Sequence, residues 1–234
     1  MDKGKLYAIG VGPGDPELLT LKAKRILEAV DYLFIPVSRE DKRSIAFSII
    51  TKVVKKDWKI IEVLVPMTND LVILQESWDE TAKKISEVLD QGRDCAYITL
   101  GDPGTYSSFS YIHKSLVALM PNLKVEIIPG ITSYQAISAW VNKPLVEGQE
   151  NLTIVPAVQN REKISTQLDN FDNIVFLKAG KKYREIDEIL KQKGISARLT
   201  LASRFGFEDG FYTEDLNELN GKELDYLTSL LVKK

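Results

Sequence analysis

Three short stretches of this chain combine glycine, proline and small polar residues in spacings that suit binding a small ligand through main chain. They are Gly10-Val11-Gly12-Pro13-Gly14-Asp15, Thr99-Leu100-Gly101-Asp102-Pro103-Gly104-Thr105-Tyr106-Ser107 and Ile128-Pro129-Gly130-Ile131-Thr132-Ser133. Gly101 lets a ligand touch the backbone, Asp102 offers an acceptor to hydroxyl or ammonium donors, and Pro103 stiffens the turn. Thr132 and Ser133 bring two hydroxyls to the start of a helix. Each stretch also has a plainer reading: Asp15, Thr132 and Ser133 suit ordinary helix N-caps, and Asp-Pro is common turn punctuation. A dinucleotide site is disfavoured in the first stretch. The G-x-G-x-x-G fingerprint needs glycine where Asp15 stands, a carboxylate there occupies the place of a pyrophosphate, and Pro13 removes an amide donor. Three such turns on one sheet edge describe a cleft that is polar, not built for phosphate, and suited to an adenosyl amino acid.

The elements that must position these turns follow from hydrophobic period. β-rich apolar runs alternate with helical segments, the pattern of a parallel sheet with crossover helices. Strands are expected at Lys5 to Val11, Tyr32 to Val37, Lys59 to Val65, Asp94 to Leu100 and Lys124 to Ile128. Asp15-Pro16-Glu17 opens a helix to about Val30, and further helices run from about Arg43 to Lys55, Leu71 to Gln91 and Thr132 to Val141, with another after Ser107. Continuous apolarity in Ala96-Tyr97-Ile98-Thr99-Leu100 predicts a central strand covered on both faces, with Cys95 a small apolar filler at its start. The second half offers strands at Asn151 to Pro156, Asn173 to Ala179, Arg198 to Ser203 and Tyr226 to Val232, with helices near Ile164 and Ile186. The fold class is therefore α/β: an N-terminal doubly wound parallel sheet over 1–133 and a smaller mixed-sheet α/β domain over 134–234.

Composition closes off other chemistries. The 234 residues carry 31 basic and 33 acidic side chains for a net charge of −2, with no basic face to meet nucleic acid. Cys95 and His113 are the sole residues of their types, so neither an intramolecular disulfide nor a Cys/His zinc site can form. His113 reads as a packing or surface residue. No apolar run reaches about 18 residues and the first residues form no apolar signal core, so a cytoplasmic protein without membrane partners is expected.

At these residues the sequence resembles the tetrapyrrole (corrin and porphyrin) methylases. That family shares a G-x-G-P-G-D-x-x-L-L-T start, a G-D-P turn and a P-G-[IV]-[ST]-[SA] turn, and the chain has all three in order at Gly10 to Thr20, Gly101 to Ser110 and Pro129 to Ser133. Within the family, Gly101 to Tyr111 is most similar to the branch that methylates carbon 20 of precorrin-2 or cobalt-factor II on the route to cobalamin, which reads G-D-P-x-x-Y-S-x-F-S-Y. Val65-Pro66-Met67-Thr68 and the ending Leu230 to Lys234 agree with that branch.

The resemblance implies two α/β domains with S-adenosyl-L-methionine folded in the cleft between them, and a homodimer. It implies cofactor contacts at Pro13, Gly101, Asp102, Thr105, Tyr106, Thr132 and Ser133, and, through looser motifs, at Ala157, Leu177 and Lys178. Methyl transfer is an in-line displacement on a sulfonium by an enamine-like ring carbon, followed by loss of a proton from that carbon. No base is assigned. The acceptor's carboxylates call for basic partners, for which Arg204 and Lys178 stand as candidates, with Tyr111 a further candidate substrate contact. Two alternatives remain open: a methylase for another ring position or a protein, and a non-catalytic ligand-binding module of the same fold.

Overall fold

The computed structural model describes residues 3–38, 44–220 and 222–234. Met1 and Asp2, part of the stretch read for a leader, and Arg43, the expected start of the second helix, lie outside the described residues. Among the described residues no helix is long and apolar enough to cross a membrane. The chain divides into two compact units, Met1–Thr132 and Ser133–Lys234.

In the first unit, strands β1 (Lys5–Gly10), β2 (Tyr32–Val37), β3 (Lys59–Leu64), β4 (Cys95–Thr99) and β5 (Lys124–Ile128) form one parallel sheet in the order β3-β2-β4-β1-β5. Strand alternation sends Ile9, Leu33, Ile35, Ala96 and Ile98 to one face, where they meet Ala23, Ile26 and Leu27 of α1 (Leu21–Ala29) and Ala46, Ile49 and Ile50 of α2 (Ile45–Val53). Leu6, Ala8, Phe34, Cys95 and Tyr97 face the other way, against α3 (Leu71–Asp90) and α4 (Phe109–Leu119). All five residues of β4 are buried, as its unbroken apolar run requires. Burial pushes the Cys95 thiol up to about 12, in keeping with its reading as apolar filler.

The helix expected from Asp15 to Val30 is two elements. Asp15 caps a single 3-10 turn, Pro16–Leu18, its Oδ1 accepting from Glu17 N at 2.9 Å. Leu19 and Thr20 are then extended, and Thr20 Oγ1 accepts from Ala23 N at 3.2 Å to begin α1. A hydroxyl residue competes with the helix ladder for its neighbours' amides, so the chain restarts at the second cap rather than running through it.

The second unit holds α5 (Ser133–Trp140), β6 (Leu152–Pro156), α6 (Arg161–Asn170), β7 (Asn173–Leu177), α7 (Tyr183–Lys193), β8 (Arg198–Ser203), β9 (Phe211–Thr213) and β10 (Thr228–Lys233). Its mixed sheet has the order β6-β7-β10-β8-β9, with β6 parallel to β7 and the remaining pairs antiparallel. Ile174, Phe176, Leu201, Leu230 and Val232 form its core with α6 and α7. The last strand was expected from Tyr226 but starts at Thr228, because Asp225 Oδ1 accepts from Leu227 N at 2.6 Å and turns the preceding residues. The three-residue β9 is too short to show a period in sequence.

Candidate active site

Because β1, β4 and β5 are neighbours in register, Gly10 lies opposite Thr99 and Ile9 opposite Ile128. The three glycine turns therefore leave the sheet side by side, at the carboxyl ends of its central strands, where open α/β sheets bind ligands. Their glycines are fixed by contact. A side chain on Gly130 would stand 2.0 Å from Gly101 O, and one on Gly10 would stand 2.6 Å from both Gly101 O and Gly130 N. Gly12 and Gly101 exchange two main-chain hydrogen bonds, of 3.2 and 2.8 Å, so the first two turns are also stitched together.

Asp102 is the brace between the second and third turns. Its Oδ2 accepts from Gly130 N at 3.0 Å, while Oδ1 accepts from Gly104 N at 2.8 Å and more loosely from Thr105 Oγ1 at 3.4 Å. The carboxylate offered by sequence to a ligand thus spends most of its acceptor capacity on holding turns in place. Gly101 itself has φ +70°, and a side chain there would meet nothing within 4 Å, so the Cα side of this turn is open to a ligand's approach while its N–H and C=O stay paired with Gly12. Pro103 is buried, and the exposed Tyr106 also takes a left-handed backbone, φ +50°. Thr99 Oγ1 and Ser107 Oγ, 3.1 Å apart, close the loop between β4 and α4, and Ser107 Oγ accepts from Phe109 N. None of the three turns contains a lysine or arginine. Asp15 at the first helix start and the missing amide of Pro13 disfavour a diphosphate, and the turns suit an adenosyl amino acid better.

Pro13, Gly101, Asp102, Thr105, Tyr106 and Thr132 belong to this edge of the first unit, and Ser133 begins α5. Tyr111 lies on α4, its ring stacked on Trp78 at 4.2 Å, and His113 stacks on Phe109 at 5.7 Å, which is a packing role.

The second unit has its own convergent edge. Since β10 runs opposite to both β7 and β8, strands β6, β7 and β8 all end at the same side of that sheet. The buried Ala157 follows β6, its N–H donating to Leu177 O at 2.7 Å. Lys178 follows β7 and Arg204 follows β8, and both are left-handed, at φ +59° and +54°. Non-glycine residues held in this region are strained, and such strain concentrates at binding sites. Arg204 Nε lies 2.7 Å from Asp209 and its Nη1 3.2 Å from Asp225. The bond to Asp209 leads the causes that raise the guanidinium's pKa above its ordinary value.

Sequence reading located the turns but not the glycine-to-glycine contacts, the bracing by Asp102, or the left-handed Tyr106, Lys178 and Arg204. The advance signal for the contacts was a glycine at or just beyond the end of each of three strands.

This fold and these turns define a tetrapyrrole methylase. The family Tetrapyrrole (Corrin/Porphyrin) Methylases matches residues 5–219, and the chain belongs to it. It is 40% identical over 98% of its length to a protein of Methanocaldococcus jannaschii named probable cobalt-precorrin-2 C(20)-methyltransferase, covering 96% of that relative. Against the cobalt-precorrin-2 C(20)-methyltransferase of Salmonella typhimurium it is 29% identical, over 99% of this chain and 97% of the other. The solved structure of a cobalt precorrin-4 methyltransferase superposes with a TM-score of 0.72 at 19% identity, covering 98% and 94% of the two chains. A Thermus thermophilus uroporphyrin-III C-methyltransferase, solved with S-adenosyl homocysteine, superposes with a TM-score of 0.67 at 19% identity, covering 99% and 98%.

Proposed function

We propose that this protein transfers a methyl group from S-adenosylmethionine to carbon 20 of precorrin-2 or its cobalt-containing counterpart, in cobalamin biosynthesis. The observation that carries the reading is the convergence of three glycine turns on one sheet edge. Support for the ring position comes from full-length similarity to the two C(20)-methyltransferases and from the run Tyr106-Ser107-Ser108-Phe109-Ser110-Tyr111.

Pro13, Gly101, Asp102, Thr105, Tyr106, Thr132 and Ser133 are the proposed cofactor contacts, with Ala157, Leu177 and Lys178 carried over from a looser part of the family motif. Bound there, the sulfonium supplies an electrophilic methyl group. The chain's own part is positional. Gly101 admits the ligand to main chain, and Asp102 holds the third turn at a fixed distance from the second. Protein dipoles fixed before the ligand arrives need no rearrangement during transfer.

The protein is proposed to act in the cytoplasm as a homodimer. The deciding experiment is incubation with methyl-labelled cofactor and either precorrin-2 or cobalt-precorrin-2, followed by locating the label. Label at carbon 20 is expected. Label at another ring carbon would reassign the ring position, and tight cofactor binding without transfer to either acceptor would overturn the reading in favour of a binding module. Light scattering at twice the monomer mass is the corresponding check on assembly.

A further inference from the structure

Lys178 and Arg204 lie on either side of the start of β10. Leu177 and Ala202 both pair with Ser229; Lys178 stands one residue beyond that level and Arg204 two, both in the left-handed conformation. Their electrostatic surroundings differ. Arg204 faces two carboxylates, Asp209 and Asp225, so its immediate neighbourhood is net negative, and an arriving anion would have to compete for it. Among the described residues Lys178 meets no carboxylate. Its Nζ stands 5.0 Å from the centre of the Tyr226 ring, which is 49% exposed.

We propose that the Lys178 ammonium receives a carboxylate of the acceptor and that Arg204 acts behind it as a positioning residue; this rests on the acceptor being a polycarboxylated tetrapyrrole, as proposed above. The connection between the two cations can be followed bond by bond. Arg204 N donates to Leu227 O at 3.0 Å, Arg204 Nη1 donates to Asp225 Oδ2 at 3.2 Å, and Asp225 Oδ1 accepts from Leu227 N at 2.6 Å. These bonds fix the turn Asp225-Tyr226-Leu227, which carries the ring beneath Lys178. A cation seated on an aromatic face keeps its charge directed without a carboxylate partner, and is free to pair with an incoming one. Arg204 also spans its own loop, through Asp209 and through its carbonyl, which accepts from Phe207 N at 3.1 Å.

The test measures equilibrium binding of sirohydrochlorin, an octacarboxylate tetrapyrrole, by its absorbance change at low and high salt, alongside binding of S-adenosylhomocysteine by calorimetry. Lys178→Asn removes the charge with a residue that tolerates the left-handed backbone. It should weaken tetrapyrrole binding about tenfold and reduce its salt dependence, a larger fall than any in S-adenosylhomocysteine affinity. Lys178→Arg, which keeps the charge, should stay within about threefold of the wild type. Asp225→Asn separates the two roles. If Arg204 met the acceptor itself, removing a competing carboxylate would tighten binding; as a positioning residue acting through Tyr226, its loss of Asp225 should weaken binding. Wild-type binding by Lys178→Asn, tighter binding by Asp225→Asn, or no tetrapyrrole binding by the wild type each overturns the proposal. Binding in the expected pattern without methylation of precorrin-2 would instead strike the reaction assignment and leave Lys178 standing.

Discussion

At the scale of single residues, the main-chain donors that meet Asp102 and the space denied to Gly130 make the sharpest demands. In Asp102→Asn one oxygen becomes an NH2 group, so either Gly130 N or the pair Gly104 N and Thr105 Oγ1 faces a donor instead of an acceptor. A loss of about 1–3 kcal/mol in folding stability is expected, measured by denaturant midpoint, together with a fall in methyl-transfer rate that exceeds the stability loss. Gly130→Ala places a methyl group 2.0 Å from Gly101 O. Backbone must move to admit it, so destabilisation of about 3 kcal/mol or more is expected, with S-adenosylhomocysteine affinity falling alongside it. Gly101→Ala meets no atom within 4 Å and suffers only from its φ of +70°. Its folding penalty should be about 1–2 kcal/mol, while cofactor binding suffers the larger loss, read by calorimetry. Sequence indicated glycine at each place. It did not tell the glycine that must stay small for its neighbours from the one that leaves main chain open, because that difference depends on what lies across the sheet edge.

At the scale of elements, the caps and ion pairs that seat helices on the sheet are the parts open to measurement. Thr20 replaces Asp15 as the start of α1, so Thr20→Ala should cost about 1 kcal/mol, and Asp15→Ala should leave α1 intact while loosening the first glycine turn. Glu126 on β5 is held by Lys22 of α1 and then by Lys5 of β1, and these bonds lower its pKa to about 2 from an ordinary 4.5. A carboxylate with a depressed folded pKa stabilises fully above its ordinary value, and that share is lost as pH falls through the folded value. Glu126→Gln should therefore flatten the fall of thermal stability between about pH 4.5 and pH 2, leaving the slope at higher pH unchanged. Strand and helix types were legible because periods of two and of about 3.6 are local. The break at Leu19 and Thr20 was less legible, since two adequate caps lay five residues apart and a helix begun at the first can in principle run through the second.

At the scale of the whole molecule, each unit is built around its own core. Phe109 is fully packed in the first unit and Phe176 in the second, and their clusters share no residue. Phe109→Ala and Phe176→Ala should each cost about 3–5 kcal/mol, and their effects should add to within about 0.5 kcal/mol in the double variant, scored by denaturant unfolding. The sequence by itself determined the α/β class, the placement of nearly every strand and helix, the three glycine turns and the family, because apolar period, turn chemistry and motif order are written along the chain. Only the tertiary structure decided which strands became neighbours, and hence that Gly10, Gly101 and Gly130 touch, that Asp102 reaches Gly130, and that Arg204 is taken by Asp209 and Asp225 while Lys178 is not. Those relations join residues up to 120 positions apart, and their partners are selected by the burial of whole faces rather than by any local preference.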